Sequence, residues 1–91
     1  MKNKSLLWRD KYILGLKENL SVQEIQQLRE VGQPKALEIR SKAIDYCLMN
    51  NIPIHSRKVP TEAIMEVTGY NLEYYYQKMI KEKEVLGYVC T

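Results

Sequence analysis

Phenylalanine is absent from this chain of 91 residues and tryptophan occurs once, so its aromatic surface is almost all tyrosine, with seven copies. Tyrosine buries its ring but keeps a hydroxyl that needs a partner, so the core of such a chain carries hydrogen bonds at its aromatic tips. Glycine (4) and proline (3) are scarce, which suits a mostly helical fold. Two cysteines, Cys47 and Cys90, are too few for a disulfide framework. Cys47 falls on the apolar side of a helical pattern and reads as a small buried hydrophobe. The single histidine, His55, has no second His, Cys or acid at metal-ligand spacing and reads as a turn residue. No apolar run approaches the roughly 18 residues that span a bilayer, and the N-terminus has no signal-peptide h-region. A soluble protein of a reducing cytoplasm, with no membrane partner, is the expectation.

The length suits one domain, 1–91, with a modest core and a dominant surface. Hydrophobic residues at 45% and charged residues at 27% argue against global disorder. The net charge of +3 is small but unevenly spread. Residues 1–19 hold five Lys/Arg and two acids, 20–60 hold six and four, and 61–91 hold three and five. The first two-thirds therefore favour a polyanionic partner.

Residues 1–19 form an arm in which Tyr12-Ile13-Leu14 fits a short strand and the wider spacing of Leu6, Tyr12, Ile13 and Leu16 fits a helix poorly; the type stays open between the two. Trp8 is expected to staple this arm to the core. At Leu20-Ser21-Val22-Gln23-Glu24 the pattern sharpens, because Ser21 and Glu24 have the spacing of a capping box, with Leu20 and Ile25 as its hydrophobic staple. A helix from about Val22 to Glu30 follows. In Val31-Gly32-Gln33-Pro34, Gly32 suits the positive φ of a tight turn and Pro34 the first position of a new helix. That helix runs to about Met49, with Ala36, Ile39, Ala43, Ile44, Cys47 and Leu48 as its apolar side and Lys35, Glu38, Ser41, Lys42 and Asp45 on the other. So short a connection implies a large crossing angle, the geometry of a helix-turn-helix.

Asn50-Asn51 stops the helix. Ile52-Pro53-Ile54 and Arg57-Lys58-Val59 read as two minimal strands around a tight turn at His55-Ser56, a small basic wing. Pro60-Thr61-Glu62 restarts a helix that ends at Thr68-Gly69, and Asn71 caps a last one from Leu72 to about Glu84. Its stripe of Leu72, Tyr75, Tyr76, Met79 and Ile80 needs something to pack on. The fold class expected is mainly α: a winged helix-turn-helix over 20–69 with a minimal β-hairpin wing and an added C-terminal helix and tail over 70–91.

The order Leu20-Ser21-Val22-Gln23-Glu24-Ile25, Val31-Gly32-Gln33-Pro34-Lys35-Ala36, then Arg57-Lys58-Val59-Pro60-Thr61-Glu62-Ala63-Ile64 resembles the small excisionases and MerR-like DNA-binding proteins of phages and conjugative elements. In that family a capped helix precedes a short turn, a recognition helix, a basic wing and a closing helix. Trp8 ahead of the first helix is similar to some transposon excisionases. The resemblance covers roughly residues 8 to 68. The chain departs from it in a longer second helix, in Arg40 where an apolar residue is usual, and in the Tyr-rich addition.

The resemblance implies double-stranded DNA as partner, with an integrase as a further one and a homodimer or cooperative oligomer on the DNA. The protein would be an excisionase-like recombination directionality factor or a transcriptional regulator. The site it implies is Gln33 towards adenine, Lys35 towards guanine, Leu37 towards a thymine methyl, Glu38 towards cytosine N4, Lys42 towards phosphate, and Arg57 and Lys58 towards phosphate or the minor groove. The start of the 22–30 helix offers a further phosphate site. Arg40 is expected to snorkel or to pair with Asp45 or Glu30. An enzyme is not expected, because three consecutive tyrosines without an activating base or an arginine and histidine set make no nucleophile. Nothing calls for a cofactor. The alternative is a small interaction module or phage-encoded inhibitor that docks through Leu72, Tyr75, Tyr76 and Met79, given that Tyr and Met are favoured at interfaces.

Overall fold

The computed structural model describes residues 6–54 and 57–86, the Leu86 side chain excepted. Those residues form five helices and a two-stranded antiparallel ribbon: α1 Trp8–Gly15, β1 Asn19–Leu20, α2 Val22–Arg29, α3 Gln33–Met49, β2 Val59–Pro60, α4 Thr61–Thr68 and α5 Leu72–Leu86. Among the described residues no helix is long and apolar enough to cross a membrane.

The capping box forms as its spacing predicts: the Glu24 N–H donates to Ser21 Oγ at 3.2 Å and the Ser21 N–H to Glu24 Oε1 at 2.9 Å. Leu20 and Ile25, the staple pair, are both fully buried. Glu24 also pairs with Lys17. The arm, left open between strand and helix, is helical in α1.

The turn between α2 and α3 is as short as expected but uses different residues. Glu30 takes the left-handed conformation, with φ at 52°. Gly32 is extended at φ −77° and ψ 174° as the N-cap of α3, and Gln33 rather than Pro34 is the first helical residue. Both changes have one cause: α2 ends at Arg29, so the sharp reversal falls two residues before the glycine. Pro34 in the second position still has no intrahelical bond to lose.

The wing hairpin is the larger correction. Ile52–Ile54 is not a strand; the Ile52 N–H is spent on the Cys47 carbonyl at 2.9 Å, and Pro53 has no N–H to offer. Val59–Pro60 pairs instead with Asn19–Leu20, in the register Asn19↔Pro60 and Leu20↔Val59. This brings two fully buried side chains, Leu20 and Val59, together beneath α2 and α3. Thr61 fastens the ribbon at its end, its N–H on the Glu18 carbonyl at 2.9 Å and its hydroxyl on the Lys17 carbonyl at 2.6 Å.

In α3, Ala36, Ile39, Ala43 and Cys47 are buried at three- and four-residue spacing against α2 and α4. Leu48, assigned to the same side, is instead exposed, because the 3.6-residue period carries it past the core edge. Burial pushes the Cys47 thiol above its ordinary pKa, with the Glu62 charge adding to it, so it stays protonated and inert. Cys90 lies outside the described residues. Gly69, at φ 80°, closes α4 as expected.

The α5 helix, begun by the Asn71 side chain on the Tyr74 N–H at 2.9 Å, packs along α1. Gly15 permits that contact: a Cβ there would sit 3.0 Å from both Leu72 Cδ1 and Met65 Cε. Trp8 meets Tyr74 edge-on at 5.9 Å between ring centres, and Lys11 Nζ lies 4.1 Å from the Trp8 ring.

Candidate nucleic-acid interface

The outer face of α3 carries Gln33, Lys35, Leu37, Glu38 and Lys42, all exposed. They are outward because the alternate positions Ala36, Ile39 and Ala43 are held in the core, which fixes the rotation of the helix. Leu37, 46% exposed, is an apolar side chain at the centre of a polar surface. Glu38 lies between the two lysines, with Oε1 3.6 Å from Lys35 Nζ and Oε2 3.4 Å from Lys42 Nζ.

Two open grooves flank this face. One is walled by Ser21, Val22 and Gln23 at the start of α2, by Leu37 and Arg40 of α3, and by Arg57. It joins the N-terminal end of one helix to two guanidinium groups, an arrangement suited to an anion. The other lies between Arg29, Val31, Lys35, Lys42 and Tyr70.

Arg40 makes a contact whose partner its sequence position did not indicate. Its Nη2 donates to the Arg57 carbonyl at 3.3 Å, tying α3 to the residues just ahead of β2. Glu30, one of its expected partners, receives Lys11 Nζ at 2.6 Å. Position gave a partial signal for Arg40: it lies three residues after exposed Leu37, at the margin between the buried and outward faces. Arg57 and Lys58 are exposed beside buried Val59. The structure thus brings Leu37 and Arg57 to one groove and Lys35, Glu38 and Lys42 to one ridge.

The residues expected to contact a protein partner are differently placed. Tyr75 is fully buried, and its hydroxyl accepts from Arg29 Nη1 at 2.9 Å while the same guanidinium lies 3.8 Å over the Tyr70 ring. Tyr76 is exposed and meets Tyr12, with ring centres 5.6 Å apart. Leu72 and Met79 are half-buried. His55 lies outside the described residues, and among those described no group of three or more His, Cys, Asp or Glu could hold a metal ion. Comparison of the chain with known protein families, with curated proteins and with solved structures gives no match.

Proposed function

We propose that this chain is a sequence-reading DNA-binding protein of a phage or mobile element, acting as an excisionase-like directionality factor or a transcriptional regulator. In this reading α2 and α3 form the helix-turn-helix of a winged variant in which Arg57 and Lys58 do the work of the wing. The observation that carries it is the exposed ridge of α3, with Gln33, Lys35, Leu37, Glu38 and Lys42 outward and a groove holding Arg40 and Arg57 alongside.

The α3 helix would lie in the major groove, where Gln33 has the amide geometry for adenine, Lys35 donates to guanine and Leu37 meets a thymine methyl. The start of α2 would cross the phosphate backbone, with Lys42, Arg57 and Lys58 on phosphates. The rival reading, a protein-docking module, needs an open Tyr-rich stripe; Tyr76 is exposed and Leu72 and Met79 are half-buried, but the fully buried Tyr75 weighs against it.

Selection from random duplex DNA at roughly physiological salt tests the proposal, because nonspecific phosphate contacts are then weakened. An enriched motif is expected. Tandem repeats of it point to the architectural, integrase-assisting role, and a palindrome to a dimeric regulator. No enrichment, with no binding at low salt either, overturns the reading.

A further inference from the structure

Resting on the DNA reading above, we infer that Glu38 is the specificity-determining residue of the surface and that its target is a single G·C pair. Glu38 lies within one turn of both Lys35 and Lys42, with its two oxygens 3.6 and 3.4 Å from their ammonium groups. The side chains of all three are half-exposed or more, at 56%, 50% and 61% in chain order. Exposed pairs of this kind add little to folding stability. The Lys35–Glu38 pair runs in the less favourable order for a helix and the Glu38–Lys42 pair in the favourable one, and each contributes little. Fold stability therefore gives Glu38 little reason to be there. On a surface that meets a polyanion its charge is a cost, because it repels phosphate and halves the net charge of the two lysines.

That cost becomes selectivity when one base pair offsets it. In the major groove a G·C pair presents the acceptors O6 and N7 of guanine beside the N4 amino donor of cytosine. Lys35 and Glu38, already held side by side, present a donor and an acceptor in the matching order. Thymine O4 in the place of cytosine N4 would put an acceptor against the carboxylate. Adenine N6–H₂ lies between two acceptors, its own N7 and thymine O4, so a carboxylate there meets an acceptor on either side, whereas cytosine N4 has one on a single side. Against arbitrary sequence the acid stays uncompensated and withholds the lysines from the backbone; over the right pair it is satisfied, and Lys42 is released to a phosphate one turn along.

The test compares the full chain with Glu38→Gln and with Glu73→Gln, which removes the same charge from α5. Each is measured on a selected duplex, on that duplex with each single base-pair change beneath α3, and on an unrelated duplex, over a range of salt. Glu38→Gln should raise affinity for the unrelated duplex several-fold at low salt and steepen the salt dependence by about one unit. It should also collapse a discrimination of tenfold or more at one G·C position to about threefold or less. Glu73→Gln should leave the discrimination and slope as they are. If the parent chain binds selectively and Glu38→Gln changes neither slope nor discrimination, or weakens all duplexes alike, this inference is wrong and the DNA reading stands. If the parent chain binds no duplex, both fall.

Discussion

The Glu82 carboxylate of α5 caps α1, taking the Trp8 N–H on Oε2 at 2.8 Å and the Arg9 N–H on Oε1 at 3.1 Å. The residue before α1, Leu7, has no side chain able to do this, so the first N–H groups of the helix are satisfied from the far end of the chain. An anion there also meets the positive end of the helix dipole. Glu82→Ala should therefore cost about 1 kcal/mol, as loss of a cap does. In a domain of this size that is a fall of roughly 4–8 °C in melting temperature. Amide exchange should speed first at Trp8 and Arg9. Unchanged exchange at those two amides would show that the cap contributes nothing.

This contact explains where sequence reading ran short. The α2 cap was legible because both partners lie within four residues and their spacing is diagnostic. The α1 helix was ambiguous because its cap is distant and its apolar residues are nearly all round it, with Ile13 and Leu16 exposed and Lys11 buried. The α2 start, the α4 end and the α5 start, though not the residues of the α2–α3 turn, followed from local signals at Ser21, Gly69 and Asn71. The ribbon did not, since Leu20 and Val59 meet only once α2 and α3 have folded between them. The outward residues of α3 were legible from period alone, whereas Arg40 depended on where the chain returns after α3.

Lys11 shows how asymmetric one ion pair can be. Its side chain is 5% exposed, whereas that of Glu30 is 43% exposed, and the two are 2.6 Å apart. Removing the acid strands a buried ammonium, but removing the ammonium leaves an acid that water can reach. Glu30→Gln should thus destabilise the fold by about 1–3 kcal/mol, because the ammonium keeps only a weaker acceptor and the Trp8 ring. Lys11→Met, of similar length and apolar, should cost clearly less. Chemical denaturation of both variants checks the order, and equal losses would refute it.

At the start of α2, burial pushes the Glu24 carboxyl upward, but the Lys17 ammonium and the Ser21 N–H and hydroxyl outweigh it and hold the pKa below its ordinary value. A lowered folded-state pKa means that the ionised acid stabilises the fold above its unfolded value and that this contribution disappears as pH falls through the folded value. The parent chain should therefore lose stability from about pH 4.5 downward, in part through this group. Ser21→Ala should cost about 1 kcal/mol near neutrality through loss of the cap. Glu24→Gln should flatten the acid limb of the stability profile and converge with the parent at low pH. Parallel profiles for parent and Glu24→Gln would remove this carboxyl from the acid response.

Arg40 reaches the Arg57 carbonyl from α3, so the cation on the Arg57 side chain is held at the groove wall by a bond to its own backbone. If DNA is the partner, two roles for Arg40 make different forecasts. A direct phosphate contact would make the losses from Arg40→Ala and Arg57→Ala add, each lowering the salt slope by about one unit. A positioning role would make Arg40→Ala misplace the Arg57 guanidinium, so that the double variant loses less than the sum, with a coupling of about 0.5–3 kcal/mol. The 3.3 Å bond favours positioning, and Arg40→Lys, with its charge kept but the planar fork lost, should behave more like alanine than like the parent. A double-mutant cycle on one selected duplex at several salt concentrations decides between them: strict additivity, with Arg40→Lys fully active, would reassign Arg40 to the phosphate backbone.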